Sequence, residues 1–410
     1  MAEIVDIDSH VYEPPALWDD YIPSGERDAA KAAFYHRIDD DGNRTTVVNG
    51  ATAKDLNRSK IIRQAAWRPG LSIEQIGALD PDVFTGLNPG ASDPTARLRD
   101  LDAMGVAQQI VFPTVFGEYL PQVIDPAAAA TLARGYNDWV WDFAAAGEGR
   151  LHPVAVLPLQ APELAVTELE RAATKGFRSV MIRPSFYKLD NPEAFGGMAA
   201  MIGAAEASGP RPVFVEDKPY RVVWDRAAEL GIVACVHPFL GITGPDAISS
   251  GGFTERVSAG VGVAHTVAEP IAYMQDADLF VTAALFHGLL EDLPNLKLAI
   301  LHAGCSWVPL ALEKSETYLW LGGMGSVPVS LEPEEVWERH PLVVSFDSWE
   351  KAVARMPDVL AGKAAWGSRY PNHDAAGPDE PRAMLAEQGI DQATVDSLLG
   401  GHTRELFGLS

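Results

Sequence analysis

The stretch Asp6-Ile7-Asp8-Ser9-His10 sets a carboxylate and an imidazole two residues apart near the start of the chain. On an extended strand, residues two apart face the same way, so Asp8 and His10 can point together. Two further histidines close short apolar runs: His237 in Val236-His237-Pro238 and His302 in Leu301-His302-Ala303-Gly304. A carboxylate converging with three imidazoles suits zinc, manganese or iron. Asp8, His10 and His237 alone would make a two-histidine, one-carboxylate face with open positions, the arrangement associated with non-haem Fe(II). Any one of these histidines, taken singly, reads as a buried hydrogen-bonded strand residue. Their joint placement at strand ends favours a metal site.

Eight short apolar runs supply the strands that would position them. They are Ile4–Asp8, Ala107–Pro113, Pro153–Leu157, Ser179–Arg183, Ile232–His237, Leu296–His302, Leu342–Phe346 and Ala364–Gly367. Near-continuous apolar strands are what a parallel sheet covered by helices needs. Helical patterns separate them, over Pro94–Met104, Pro126–Ala146, Glu163–Thr174, Met274–Leu290 and Pro309–Leu321. Pro162 and Gly176 frame the third of these as first-turn and terminating residues. Alternation with eight strands predicts an α/β fold, a (β/α)8 TIM barrel, in preference to an open doubly wound sheet. Neither G-x-G-x-x-G nor a P-loop follows any strand, which counts against nucleotide binding.

Three segments exceed the minimal repeat: Glu13–Asp93 after strand one, Phe186–Asp217 after strand four and Leu240–Pro270 after strand five. All follow carboxyl ends of strands, where barrel enzymes build their sites. The expectation is a single domain over residues 1–410, with 14–93 as an insertion or lid within it. His265 and Glu269, spaced i, i+4 in the third segment, would align on a helix.

The chain has 410 residues, with 32 Lys and Arg against 56 Asp and Glu and a net charge of −24. Such a charge repels nucleic-acid phosphates and anionic lipid, so the expected partner is a small-molecule substrate. Two cysteines, Cys235 and Cys305, are too few for a disulfide framework or a cysteine zinc site. With no signal-peptide pattern and no apolar run long enough to span a bilayer, the expected location is the cytoplasm.

The order of motifs resembles the amidohydrolase-related family, the branch of the amidohydrolase superfamily that includes aminocarboxymuconate semialdehyde decarboxylase and resorcylate decarboxylases. The stretches carrying the resemblance are Asp6–Pro14 (DIDSHVYEP), Arg97–Pro113 (RLRDLDAMGVAQQIVFP), Tyr136–Trp139 (YNDW), Gly176–Pro184 (GFRSVMIRP), Val236–Pro238 (VHP), Pro294–Pro309 (PNLKLAILHAGCSWVP) and Trp366–Asp374 (WGSRYPNHD). The resemblance implies that Asp8 and His10 are the first pair of metal ligands, in the variant where Asp replaces the first His. It makes His237 the strand-five ligand. His302 becomes the strand-six histidine, an acid/base in mononuclear members and a ligand of a second metal in dinuclear ones. It also implies a homo-oligomer, a dimer or larger.

One departure is large. The family's last strand ends in Gly-Ser-Asp-Tyr-Pro-His, whose Asp binds metal. Here Arg369 stands in its place and Asn372 replaces the His. Arginine stays cationic and cannot coordinate an ion. Four repairs are open. His373 or Asp374 swings in as a ligand; Glu13 or Asp347 supplies the carboxylate; Arg369 grips an anionic substrate as a fork; or the site is retired and the protein only binds. Arg369 paired with Asp347 or Asp374 is an equal alternative to the anion grip. Arg183, ending strand four, faces the pocket or its rim and cannot replace the bridging lysine of dinuclear hydrolases.

Weighing these, the sequence reading favours a metalloenzyme acting on a small organic acid or its thioester. It leans to O2-dependent hydroxylation at a non-haem iron or diiron centre in secondary metabolism, chemistry the superfamily has recruited. The alternatives are a metal-dependent decarboxylase, with zinc or manganese in place of the favoured iron, and a non-catalytic binder. The site residues expected are Asp8, His10, His237 and His302 for metal. His302, Glu13 and Asp347 are expected in catalysis, and Arg369, Arg183 and His373 against substrate.

Overall fold

The computed structural model describes residues 3–52, 60–188, 211–239, 269–322 and 327–410. Eight parallel strands appear where the apolar runs predict them: β1 (Val5–His10), β2 (Gln108–Phe112), β3 (Leu151–Pro153 continuing as Ala155–Val156), β4 (Ser179–Ile182), β5 (Val233–Val236), β6 (Leu298–Ile300), β7 (Leu342–Phe346) and β8 (Ala364–Trp366). Each pairs with its neighbours in chain order, and β3 bridges the two arcs: its first half lies on β2 and its second half on β4. All residues of β1, β2 and β4 to β8 are buried, as expected of strands packed on both faces.

Backbone bonds beyond β8 close the ring. Arg369 N–H donates to the Asp8 carbonyl at 2.8 Å and His10 N–H to the Tyr370 carbonyl at 2.6 Å. Gly367 makes this approach possible, because a Cβ there would lie 2.7 Å from the Asp8 Cβ. The buried Asp6 carboxylate then fastens the seam. It accepts from the Ser368 amide (2.8 Å) and hydroxyl (2.5 Å), from Gln109 Nε2 (2.8 Å) and from the Asp8 amide (3.1 Å). Between Asp6 and Ser9 the β1–β2 register slips by one residue, so a bulge falls across Ile7–Asp8; bulges re-aim side chains next to sites.

Helix ends carry side-chain and glycine caps, Gly176 among them as expected. Asp93 and Asp125 cap the helices Pro94–Met104 and Pro126–Ala145 with their side chains. Gly105, Gly176 and Gly231, all left-handed, end the helices before β2, β4 and β5. The sequence reading placed one helix over Met274–Leu290. Among the described residues it runs over Glu269–Phe286. It breaks at the left-handed Gly288 before a short Leu289–Asp292 turn.

The segment after β1 is a small substructure. Helices Ala16–Asp20 and Arg27–Ala33 precede an antiparallel sheet of Phe34–Ile38, Arg44–Val48 and Ala51–Thr52. Buried His36 ties this sheet to the end of β1, with Nε2 2.9 Å from Tyr12 Oη and Nδ1 2.9 Å from Thr46 Oγ1. Its later part reaches the end of β8: Trp67 N–H donates to the Pro371 carbonyl at 3.0 Å. Trp67 packs there with Ile61, Ile76 and Tyr370 in a minor core of its own. In the segment after β4, Ser185–Lys188 pairs antiparallel with Arg211–Phe214. The middle of that segment, most of the segment after β5, and His265 lie outside the described residues. No helix among the described residues is long and apolar enough to cross a membrane.

Arg97 is a fully buried guanidinium on the Pro94–Met104 helix. It donates to the carbonyls of His10 (2.8 Å) and Gly90 (3.2 Å) and to Ser9 Oγ (3.3 Å), and lies 4.4 Å above the Tyr370 ring. It therefore joins helix, insertion, β1 and the β8 loop from beneath the site. Replacing it strands two buried carbonyls. Arg97→Met is expected to lose about 3 kcal/mol, the range of charged hydrogen bonds. Urea unfolding of the two proteins checks this; equal midpoints would contradict it.

Candidate metal centre

Four buried side chains converge at the carboxyl end of the barrel: Asp8, His10, His237 and His302, with one potential ligand atom from each within 4.8 Å of all the others. Asp8 is the hub. Its Oδ1 lies 3.1 Å from His10 Nε2 and 3.5 Å from His237 Nε2, and its Oδ2 lies 3.1 Å from His302 Nδ1. The outer nitrogens of two rings are fixed by backbone: His10 Nδ1 donates to the Pro113 carbonyl and His237 Nδ1 to the Pro238 carbonyl, both at 2.9 Å. Such outer bonds leave each Nε2 as a lone-pair donor aimed inward. Phe239 stacks on His237 at 4.5 Å between ring centroids, and Tyr273 meets His302 edge-on at 5.0 Å.

Asp8 Oδ1, His10 Nε2 and His237 Nε2 are buried and have no hydrogen-bond partner. Three orphaned buried atoms at one point are costly unless something binds them. A divalent ion satisfies all three, and the donor set of one carboxylate and imidazoles fits such an ion. Charge supports the same reading. Burial works against a charge on Asp8, but His302, His10 and His237 hold its carboxyl well below the usual carboxylate range. Burial, followed by the Arg369 charge, pushes His302 down to about 3, so its ring is neutral.

The centre opens into a cavity of about 440 Å³, the size that holds a small organic ligand. Phe239, Tyr273 and Trp349 line it, with Asp347, His373 and Asp374 on the β7 and β8 loops. The segment after β1 contributes Arg63, Gln64 and Ile73 to the wall, the part anticipated for a lid.

Arg369 sits in this wall, 5% exposed, in the left-handed region at φ 58°. His302 is left-handed too, at φ 62°. Each strains a non-glycine backbone by roughly 1–3 kcal/mol. The Arg369 fork is fully engaged. Nη1 donates to Asp374 Oδ2 at 2.5 Å; Nη2 pairs with Asp347 Oδ1 at 2.9 Å and donates to the His302 carbonyl at 3.0 Å. The sequence offered pairing with Asp347 or Asp374; both occur. An anion grip by the fork has no free N–H pair to work with, and only the buried Nε lacks a partner.

Asp374 and Asp347 differ in state. Burial opposes charge on Asp374, yet Arg369 and then His373 hold it well below the usual range. Burial pushes Asp347 up to about 7 against the pull of Arg369, and Glu350, Asp374 and Asp8 add to the rise. Its side chain keeps 30% of its surface open, so cavity water moderates that shift.

Two expected residues lie elsewhere. Glu13 neither joins the cluster nor lines the cavity. Its carboxylate accepts the amides of Thr114 (3.1 Å), Val115 (2.9 Å) and Phe116 (3.2 Å), closing the start of the Val115–Tyr119 helix. An acid at a helix start needs no metal to be satisfied. Arg183 donates to the carbonyls of Glu118 (3.3 Å) and Phe239 (3.1 Å), so it braces the wall from behind. His373 does line the cavity but stands outside the four-residue cluster. The sequence reading missed Phe239, Tyr273, Trp349 and Arg97. Phe239, two residues past His237, was open to the same alternation argument that paired Asp8 with His10; Tyr273 and Arg97 carry no local signal.

The sequence model of the amidohydrolase family matches residues 7–409. A 2-amino-3-carboxymuconate-6-semialdehyde decarboxylase from Dictyostelium discoideum is 22% identical over 339 residues, 81% of each chain. Among solved structures, an amidohydrolase from Mycobacterium avium subsp. paratuberculosis superposes with TM-score 0.71 at 17% identity, covering 99% of both chains. A dihydroxybenzoic acid decarboxylase from a Polaromonas species, with bound manganese and the inhibitor 2-nitroresorcinol, gives 0.60 at 16% identity, covering 100% of this chain and 98% of its own.

Removing an inward-aimed ring should empty the centre. His237→Ala is expected to weaken divalent-metal binding by more than about a hundredfold, beyond the loss typical of outer-shell changes. Metal per chain after dialysis, read by mass spectrometry, checks it. Undiminished metal in the folded variant would remove His237 from the ligand set.

Proposed function

Because the chain belongs to the amidohydrolase family, we propose that it is a metal-dependent, non-oxidative decarboxylase of a small hydroxylated aromatic acid. The observation that carries the metal part is the trio of orphaned atoms, Asp8 Oδ1, His10 Nε2 and His237 Nε2, beside a cavity with aromatic walls. The decarboxylases among its relatives favour this reading over the oxygen-dependent hydroxylation expected from loss of the last-strand aspartate. The donor set does not single out iron, and the Polaromonas enzyme carries manganese.

Asp8, His10 and His237 would hold the ion, with His302 completing the set through the nitrogen turned towards Asp8. When bound, a divalent ion supplies Lewis-acid binding for substrate oxygens. The protein's own groups do the rest. Phe239, Tyr273 and Trp349 flank a ring. The reaction then needs one proton on the carbon that bears the carboxylate. Asp347, open to the cavity and pushed up to about 7, keeps a proton available near neutrality. It gives that proton to the ring carbon; the C–C bond breaks, CO2 leaves, and the bonding pair restores the aromatic ring. Asp347 recovers its proton from cavity water. Arg369 acts as a positioning residue here, holding Asp347 against the cavity through Nη2.

Assay of ortho-hydroxybenzoates in D2O with Mn2+ tests the proposal: release of CO2 with deuterium at the vacated carbon is expected. Asp347→Asn should lower kcat by about 10²- to 10⁴-fold, the range of general acid catalysis, with metal content unchanged. Substrate-dependent O2 uptake with a hydroxylated product would overturn the proposal in favour of oxidative chemistry.

A further inference from the structure

We propose that Arg369 is a built-in cation that occupies a latent second cation site, so that the native centre accepts one ion and the site opens when the guanidinium is removed. The inference rests on the metal reading above. Arg369 bridges two carboxylates from different loops, Asp347 after β7 and Asp374 after β8, using one N–H group for each. Carboxylates that bracket a cation beside a metal-ligating histidine are the ligands that a two-metal centre uses, with its ions roughly 3.5–4 Å apart. Here the bracketed cation is part of the chain. Its Nη2 also holds the carbonyl of His302, and its own amide holds the carbonyl of Asp8, so the fixed charge is tied by backbone to two members of the ion cluster.

Three features distinguish this from an ordinary surface ion pair. The guanidinium is almost wholly buried. Its backbone is left-handed, a conformation a non-glycine residue adopts only when its surroundings impose it. Its Nε is buried without a partner, so the side chain is set by the two carboxylates and not by a best fit of all its donors. Asp8 answers part of a divalent ion's charge, while Asp374 answers Arg369 and Asp347 holds its Nη2. A second divalent ion would have to take both carboxylates from a group that cannot give up its own charge.

The test is Mn2+ titration of the full chain, read by calorimetric stoichiometry and by electron paramagnetic resonance. The wild type should take one ion per chain even in excess Mn2+, with the spectrum of an isolated ion. Arg369→Ala, or Arg369→Gln should the first variant fail to fold by circular dichroism, should take two, with an exchange-coupled spectrum. Arg369→Lys, which keeps the charge, should return to one. A wild type that binds two ions overturns the inference, as does a folded Ala or Gln variant that stops at one. A wild type that binds none overturns the metal reading beneath it, and is distinct from either result.

Discussion

A buried carboxylate and imidazoles whose inward atoms have no partner form an incomplete electrostatic arrangement, and the rest of this molecule is organised around completing it. Asp8 is 1% exposed and has an oxygen with no hydrogen-bond partner. Burying a charge without compensation is among the most expensive acts in a fold. The imidazoles of His10 and His237 cannot answer it through their outer nitrogens, which backbone carbonyls have taken. A divalent cation completes the group, and the barrel presents it at the carboxyl end of the strands, where loops can bring a substrate.

Holding that geometry requires the ring to be shut at the same point. The seam between β1 and β8 passes directly under the centre, through the Asp8 and His10 backbone. Asp6 fastens it from the interior with four hydrogen bonds, and Arg97 supports His10 from behind through its carbonyl. Ligand aim and barrel closure thus share residues. Arg369 extends the same economy: its amide closes the seam while its side chain organises Asp347 and Asp374 on the cavity wall.

Much of this was legible in the sequence, and the reasons are physical. A strand buried on both faces must be apolar throughout, so eight short runs announced eight strands. Ligands at strand ends inherit the strand's alternation, so Asp8 with His10, and His237 and His302 at their own strand ends, could be placed without coordinates. Side chains whose partners lie far along the chain could not. Glu13 looked like a spare carboxylate near His10, but its partners are amides about a hundred residues away. Arg183 ends its strand as a pocket residue would, yet its donors go to carbonyls of the Val115–Tyr119 helix and of Phe239 after β5. For Arg369 the sequence supplied the right candidate partners, and only geometry shows that both are used together. Asp347 had the same ambiguity: its state depends on which charges crowd it, and those come from the β7 loop, the β8 loop and strand β1.

The most direct test of the central claim is X-ray absorption at the metal edge of the purified chain, loaded with a single equivalent of zinc. Completion of the buried group predicts light-atom ligands at about 2.0–2.2 Å, with imidazole backscattering from His10, His237 and His302 and an oxygen from Asp8. In Asp8→Asn the carboxylate contribution should vanish. A spectrum of hydrated zinc with no imidazole signature would contradict the account, and leave the orphaned atoms of Asp8, His10 and His237 to be explained by something other than a metal.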